Sequence, residues 1–205
     1  MNREVQDVET FVTALRGSGL VNPGKIGIVG GSAGATLALF VALDTTDSGT
    51  NVWPYWNAGV RPACAVLLST ITDFSDRTPS EGQPQMAAAS IRDIENFTQT
   101  ILPDEQRSLS PISKVMTPTQ STPFVPMLII QSQNDRTIPY HNFVDLMCAL
   151  QSKSVDPKLY ETHMLWGSDL HSFSMWNSCD NPESAGSTCT LVSTDVIEFL
   201  DAHLK

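Results

Sequence analysis

The sequence predicts an α/β domain: a mostly parallel sheet with helices packed on its faces. Three observations predict it. Short apolar, β-branched runs at 25–30, 63–69, 126–131 and 158–164 alternate with stretches of helical periodicity at 3–16, 33–44, 140–150 and 194–204. The 205 residues, 41% hydrophobic and 17% charged, are enough for one domain with a real core, spanning 1–205. The first strand-like run also breaks into Gly30-Gly31-Ser32-Ala33-Gly34 and then resumes at helical spacing, the form of a tight strand-to-helix turn.

Taken in order, Val5, Val8, Phe11, Val12 and Leu15 recur at helical spacing, and Gly17 and Gly19 stop the helix 3–16. Ile26, Ile28 and Val29 make a buried strand. The nearly all-apolar run after Gly34 is too long and too free of turns for a second strand, so 33–44 reads as a helix buried on most sides. A polar loop with Trp53, Pro54 and Trp56 leads to the strand 63–69. Residues 76–124 are rich in Pro, Ser, Thr and Gln and hold one helical pattern, Ile91, Ile94, Thr98 and Ile101, ending near Pro103. The strand 126–131, helix 140–150, weaker strand 158–164 and helix 194–204 complete the chain.

Composition narrows the partners. A formal charge of −10 repels phosphates, which argues against nucleic acid or an anionic membrane surface. No run approaches the roughly 18 apolar residues of a membrane span, and the polar opening MNREVQDVET is not a signal peptide. A soluble protein is expected, its compartment open. Cys64 sits in an apolar run and Cys148 in a helix-like stretch, and both read as buried thiols, whereas Cys179 and Cys189 bracket a polar loop that a disulfide could close, favouring secretion. No cysteine or histidine spacing resembles a zinc site, so no metal is expected.

In Gly30-Gly31-Ser32-Ala33-Gly34, the serine sits where only glycine neighbours leave room, and the following helix aims its free N–H groups at whatever the hydroxyl attacks. Phosphate-loop spacings are absent from this segment. In parallel sheets functional groups collect at the carboxyl ends of the strands. After the first strand comes Ser32, after the second Asp73, after the third Asp135, and after the fourth His171. Serine needs a histidine to accept its proton, and that histidine needs a carboxylate to fix its tautomer. Asp135 is preferred as the acid and Asp73 is the alternative, while Asp169 reads as a solvated loop charge. His141, His163 and His203 lie in or at the start of regular elements, which favours His171. Trp166, Phe173, Met175 and Trp176 crowd the histidine loop and line either a substrate pocket or simply the core.

With these residues placed, nearly the whole chain resembles the α/β-hydrolase fold, and more closely its carboxylesterase and feruloyl-esterase-like members. NPGKIGIVGGSAGATLAL is similar to their elbow segment. SLSPISKV followed by TPFVPMLIIQSQNDRTIP is similar to the approach to their acid turn, and LHSFSMW to their histidine loop. The resemblance implies a partial α/β-hydrolase fold hydrolysing small carboxylic esters, without a cofactor, through Ser32, Asp135 and His171. The Ala33 N–H would serve the oxyanion. Residues 76–124 occupy the position of a small cap insertion, or form a plain surface loop. Activity should rise with pH as His171 gives up its proton.

In that family the elbow is preceded by four further strands and an HGG-type loop that have no counterpart here. Two expectations follow. The loop's oxyanion donor is missing, and losing such a donor costs about 10²–10³ in turnover. The esterase should be slow unless another chain, or the loops at Asp73 or Trp166, supplies a donor. The outer edge of strand 25–30 should also be open, inviting a homo-oligomer or a companion fragment to cover it. The same gaps admit two other readings: a non-catalytic pseudoenzyme acting as an interaction module, and a prolyl-oligopeptidase-like peptidase domain sharing Gly-Gly-Ser-x-Gly.

Overall fold

The computed structural model describes residues 2–43, 61–79, 82, 85–116, 124–179 and 190–205. Four strands, β1 (Gly27–Gly31), β2 (Cys64–Leu68), β3 (Met127–Ser132) and β4 (Tyr160–Leu165), pair in parallel in the order β1-β2-β3-β4. Each strand therefore adds beside the one before it, and all four carboxyl ends open on one rim.

The sheet is buried on both faces, as continuous apolar strands require. In β2, Ala65 and Leu67 turn to one side and Cys64, Val66 and Leu68 to the other. The first side packs under α2 (Ala33–Ala42), α5 (Pro111–Met116) and α6 (His141–Ser152). The second packs against Val192, Val196 and Phe199 of α7 (Val192–Leu204). A third cluster, with Val5, Phe40, Phe74, Ile94 and Ile138, binds α1 (Asn2–Gly17), α2 and α3 (Ala88–Thr98) together.

Helix α2 buries Ala35, Thr36 and every residue from Ala38 to Ala42, matching its nearly all-apolar sequence. Along α1 only part of the expected stripe is covered: Val5 and Val12 are buried, but Phe11 is 67% exposed. The Pro- and Gln-rich stretch holds more structure than its composition predicts. Besides α3 it forms α4 (Pro103–Leu109) and α5. Within the expected cap 76–124, α5 belongs to the domain core through Ile112 and Val115, while α3 overhangs the rim of the sheet.

Cys64 is buried as expected, but Cys148 is exposed, because it lies on the outer side of α6 from Leu146, Ala149 and Leu150. Cys179 is disulfide-bonded. Its expected partner Cys189, the loop with Trp53, Pro54 and Trp56, and residues 117–123 lie outside the described residues. Among the described residues no helix is long and apolar enough to cross a membrane, and β1 pairs with no strand but β2.

Candidate active site

Ser32 sits at the junction of β1 and α2 with φ 56° and ψ −123°, a backbone conformation that costs a side-chain-bearing residue energy. Its N–H donates to Leu68 O (2.8 Å), tying the turn to the end of β2, and its carbonyl accepts from Ala35 N and Thr36 N to open the helix. Sterics explain two glycines. A Cβ on Gly30 would lie 2.2 Å from Gly34 O, and one on Gly31 would lie 2.0 Å from Ser172 Oγ and 2.9 Å from the Phe173 ring. Gly34 itself has open space, so no side-chain clash accounts for its place in the motif. The Gly31 contact also shows that the loop carrying His171 is packed directly on the elbow.

Asp135 follows β3 and is 1% exposed. Its Oδ1 accepts from Thr137 N (2.8 Å) and Ile138 N (3.1 Å). Its Oδ2 accepts from Ser69 Oγ (2.8 Å) and lies 2.8 Å from His171 Nδ1. With Nδ1–H donating to the carboxylate, Nε2 keeps a lone pair and is free to accept a proton. The histidine backbone is itself braced, His171 N donating to Ser174 Oγ at 2.9 Å.

Ser69, immediately after β2, is the residue the sequence reading missed. It is fully buried, and its Oγ donates to Asp135 while accepting from Ser172 N at 3.1 Å. One hydroxyl thus joins the acid turn to the histidine loop. Its only sequence signal is its position at a strand's carboxyl end, a signal shared by many serines.

The alternative acid is otherwise employed. Asp73 is fully buried, pairs with Arg107 and accepts from the N–H and Oγ of Ser75. Asp169 is exposed. Among the other histidines, His141 Nδ1 meets Asp76, His163 Nδ1 meets Asp195 at 2.9 Å, and His203 packs on Phe199.

A cleft of about 180 Å³ opens beside Ser32 and Ala33. Ile71, Phe74, Ile94, Phe97 and Ile138 make it apolar, and Ser90 and Asp93 of α3 add polar groups. None of the four expected pocket residues lines it. Met175 is a correction: its side chain is wholly buried in the core against α7, because the turn Ser172–Met175 directs it inward. Trp176 packs on that same cluster. Phe173 is exposed above Gly31, and Trp166, also exposed, has its ring 6.5 Å from Tyr140.

Ala33 is the first residue of α2, so its N–H has no carbonyl four residues earlier within the helix. In the two loops expected to offer another donor, several N–H groups are engaged elsewhere. The N–H groups of Ile71, Thr72, Asp73 and Phe74 go to Thr36 Oγ1, Asn142 Oδ1 and Ser110 Oγ. Those of Gly167, Ser168 and Leu170 go to Gln133 Oε1, Leu165 O and Ser168 Oγ.

A family model described as alpha/beta hydrolase fold matches residues 3–163. Among curated proteins none matches. Several solved structures do. A thermophilic esterase of the planctomycete Thermogutta terrifontis is 19% identical with a TM-score of 0.59, over 97% of this chain and 61% of its own. It has also been solved with propionate and with butyrate bound. An alpha/beta hydrolase enzyme from a Medee basin deep-sea metagenome library is 18% identical with a TM-score of 0.55, over 98% of this chain and 64% of its own. Dipeptidyl peptidase 4 of Porphyromonas gingivalis is 16% identical with a TM-score of 0.64, over 98% of this chain but 23% of its own. The chain thus spans less than two thirds of the length of each.

Proposed function

Because this chain belongs to the alpha/beta hydrolase fold family, we propose that it is a serine carboxylesterase acting on small esters through Ser32, His171 and Asp135. The observation that carries the reading is the 2.8 Å contact between Asp135 Oδ2 and His171 Nδ1, on a loop packed against the Ser32 elbow.

In this mechanism Ser32 Oγ attacks the ester carbonyl while His171 Nε2 takes the hydroxyl proton, and Asp135 stabilises the imidazolium that forms. The carbonyl oxygen becomes an oxyanion facing the Ala33 N–H at the start of α2. Collapse expels the alkoxide, which receives the proton from His171. Water, activated by the same imidazole, then releases the acid and frees Ser32. A cleft of about 180 Å³ with apolar walls suits a short acyl group, in keeping with the propionate and butyrate bound to the Thermogutta esterase.

A fluorophosphonate probe tests the assignment. Labelling at Ser32 that disappears in both Ser32→Ala and His171→Ala is the expected result; labelling elsewhere, or labelling unchanged in His171→Ala, refutes it. The likeness to a dipeptidyl peptidase structure supplies a second reading, an amide hydrolase. Parallel assays on p-nitrophenyl acetate and a peptide amide separate the two, and turnover of the ester alone is expected.

A further inference from the structure

Away from the cleft, three side chains meet that no catalytic step uses. Asp76 lies in the segment after β2, while His141 and Asp145 stand one turn apart on α6. His141 Nδ1 is 2.7 Å from Asp76 Oδ2 and 3.4 Å from Asp145 Oδ2, and one donor atom from each residue falls within 4.8 Å of the other two. We infer that Asp76, His141 and Asp145 form a binding site for a divalent transition-metal cation of the zinc type.

The donor chemistry and spacing carry this. One imidazole nitrogen with two carboxylate oxygens is a set that zinc accepts, at metal–ligand lengths near 2.0–2.2 Å. Tetrahedral bonds of that length hold neighbouring donors roughly 3.4 Å apart. The His141–Asp145 pair already has that spacing, and the His141–Asp76 pair needs to widen by roughly 0.7 Å from its 2.7 Å. As the cation takes the Nδ1 lone pair the ring keeps its proton on Nε2: a neutral imidazole shifts tautomer, and an imidazolium releases its Nδ1 proton to solvent.

The surroundings fit as well. Asp76 Oδ1 accepts from Thr78 N at 2.8 Å, which orients the other oxygen toward the site. The three ligands are partly exposed and line an open cavity of about 460 Å³, so a hydrated ion has a way in and room for its remaining water. Arg107 lines the same cavity, but its guanidinium is paired with the buried Asp73. Cys148, on the next turn of α6, also faces this cavity. Sequence spacing hides the set because Asp76 stands 65 residues before His141. Once bound, the ion would fasten the segment after β2 to α6.

Calorimetric titration of the full chain with zinc chloride tests the site, with thermal melting as a second readout and circular dichroism as a check on folding. Saturable 1:1 binding that raises the melting temperature is expected, weakened about tenfold or more by both His141→Gln and Asp145→Asn and retained in Cys148→Ser and His163→Gln. Absence of saturable binding overturns the inference. So does binding that survives both ligand substitutions, or binding lost only with Cys148, which would be thiol capture. Neither readout depends on the esterase reading.

Discussion

Ser69 shows how much of a site can rest on one hydroxyl. It bonds the acid on one side and the histidine loop on the other, and touches no substrate-facing surface because it is fully buried. It is a positioning residue. Ser69→Ala leaves the Ser172 N–H and one Asp135 oxygen each short of a partner and frees His171 to drift. The expected outcome is a kcat lower by roughly 10–100-fold with KM little changed, since small misplacements of a reacting group are costly while binding contacts remain. Steady-state kinetics on p-nitrophenyl acetate check this, and a proportional rise in KM would contradict it. At this scale the sequence was informative about residue types that are chemically rare at strand ends. Ser32, Asp135 and His171 stood out by a glycine-flanked turn, an Asn-Asp turn and a loop imidazole, and the structure brings the last two within hydrogen-bond distance. Ser69 and the α3 side chains over the cleft did not stand out, because serine, isoleucine and phenylalanine are unremarkable wherever they fall.

Among the elements, α1 carries an internal contradiction. Glu9 shares its buried face with Val5 and Val12 and is only 7% exposed. Burial pushes its carboxyl up to about 7, against an ordinary 4.5. The folded chain therefore keeps this proton to about pH 7, while the unfolded chain releases it near 4.5. Stability contributed here is present at low pH and declines as pH climbs through that window. Urea denaturation at pH 5 and pH 8 is expected to show the loss in the parent chain and its near absence in Glu9→Gln. Element boundaries were legible wherever apolar period was strong. The expected strand 63–69 is β2, Cys64–Leu68, and the expected helix 140–150 is α6, His141–Ser152. The short helices α4 and α5 were not legible, since each begins at a proline within a Ser- and Gln-rich stretch and runs for only 7 and 6 residues. Too few turns are present there for a period to register.

For the molecule as a whole, the sheet has two edges among the described residues, β1 and β4, and the outer side of β1 is the one beside the candidate elbow. Its N–H and C=O groups on that side face no strand among the described residues, and Val29 beside them is 36% exposed. Edges of this kind recruit strands. Self-association, or capture of a companion that supplies a strand, is the expected behaviour; light scattering across a concentration series checks the first, and a mass fixed at that of one chain would oppose it. The parallel pairing was implied by the alternation of strands and helices, but neither the strand order β1-β2-β3-β4 nor the folding of α5 into the core is written in local periodicity.

The strictly parallel sheet has one more consequence. Ser32, Ser69, Asp135 and His171 all hang from the same rim, so the opposite rim, where the strands begin at Gly27, Cys64, Met127 and Tyr160, holds none of this machinery. The turn around Lys153–Asp156, just ahead of β4, belongs to that far side. A purification handle or fluorescent reporter spliced there would sit a full strand length from the chemistry, and the protein could be immobilised by that end with its cleft facing the solution.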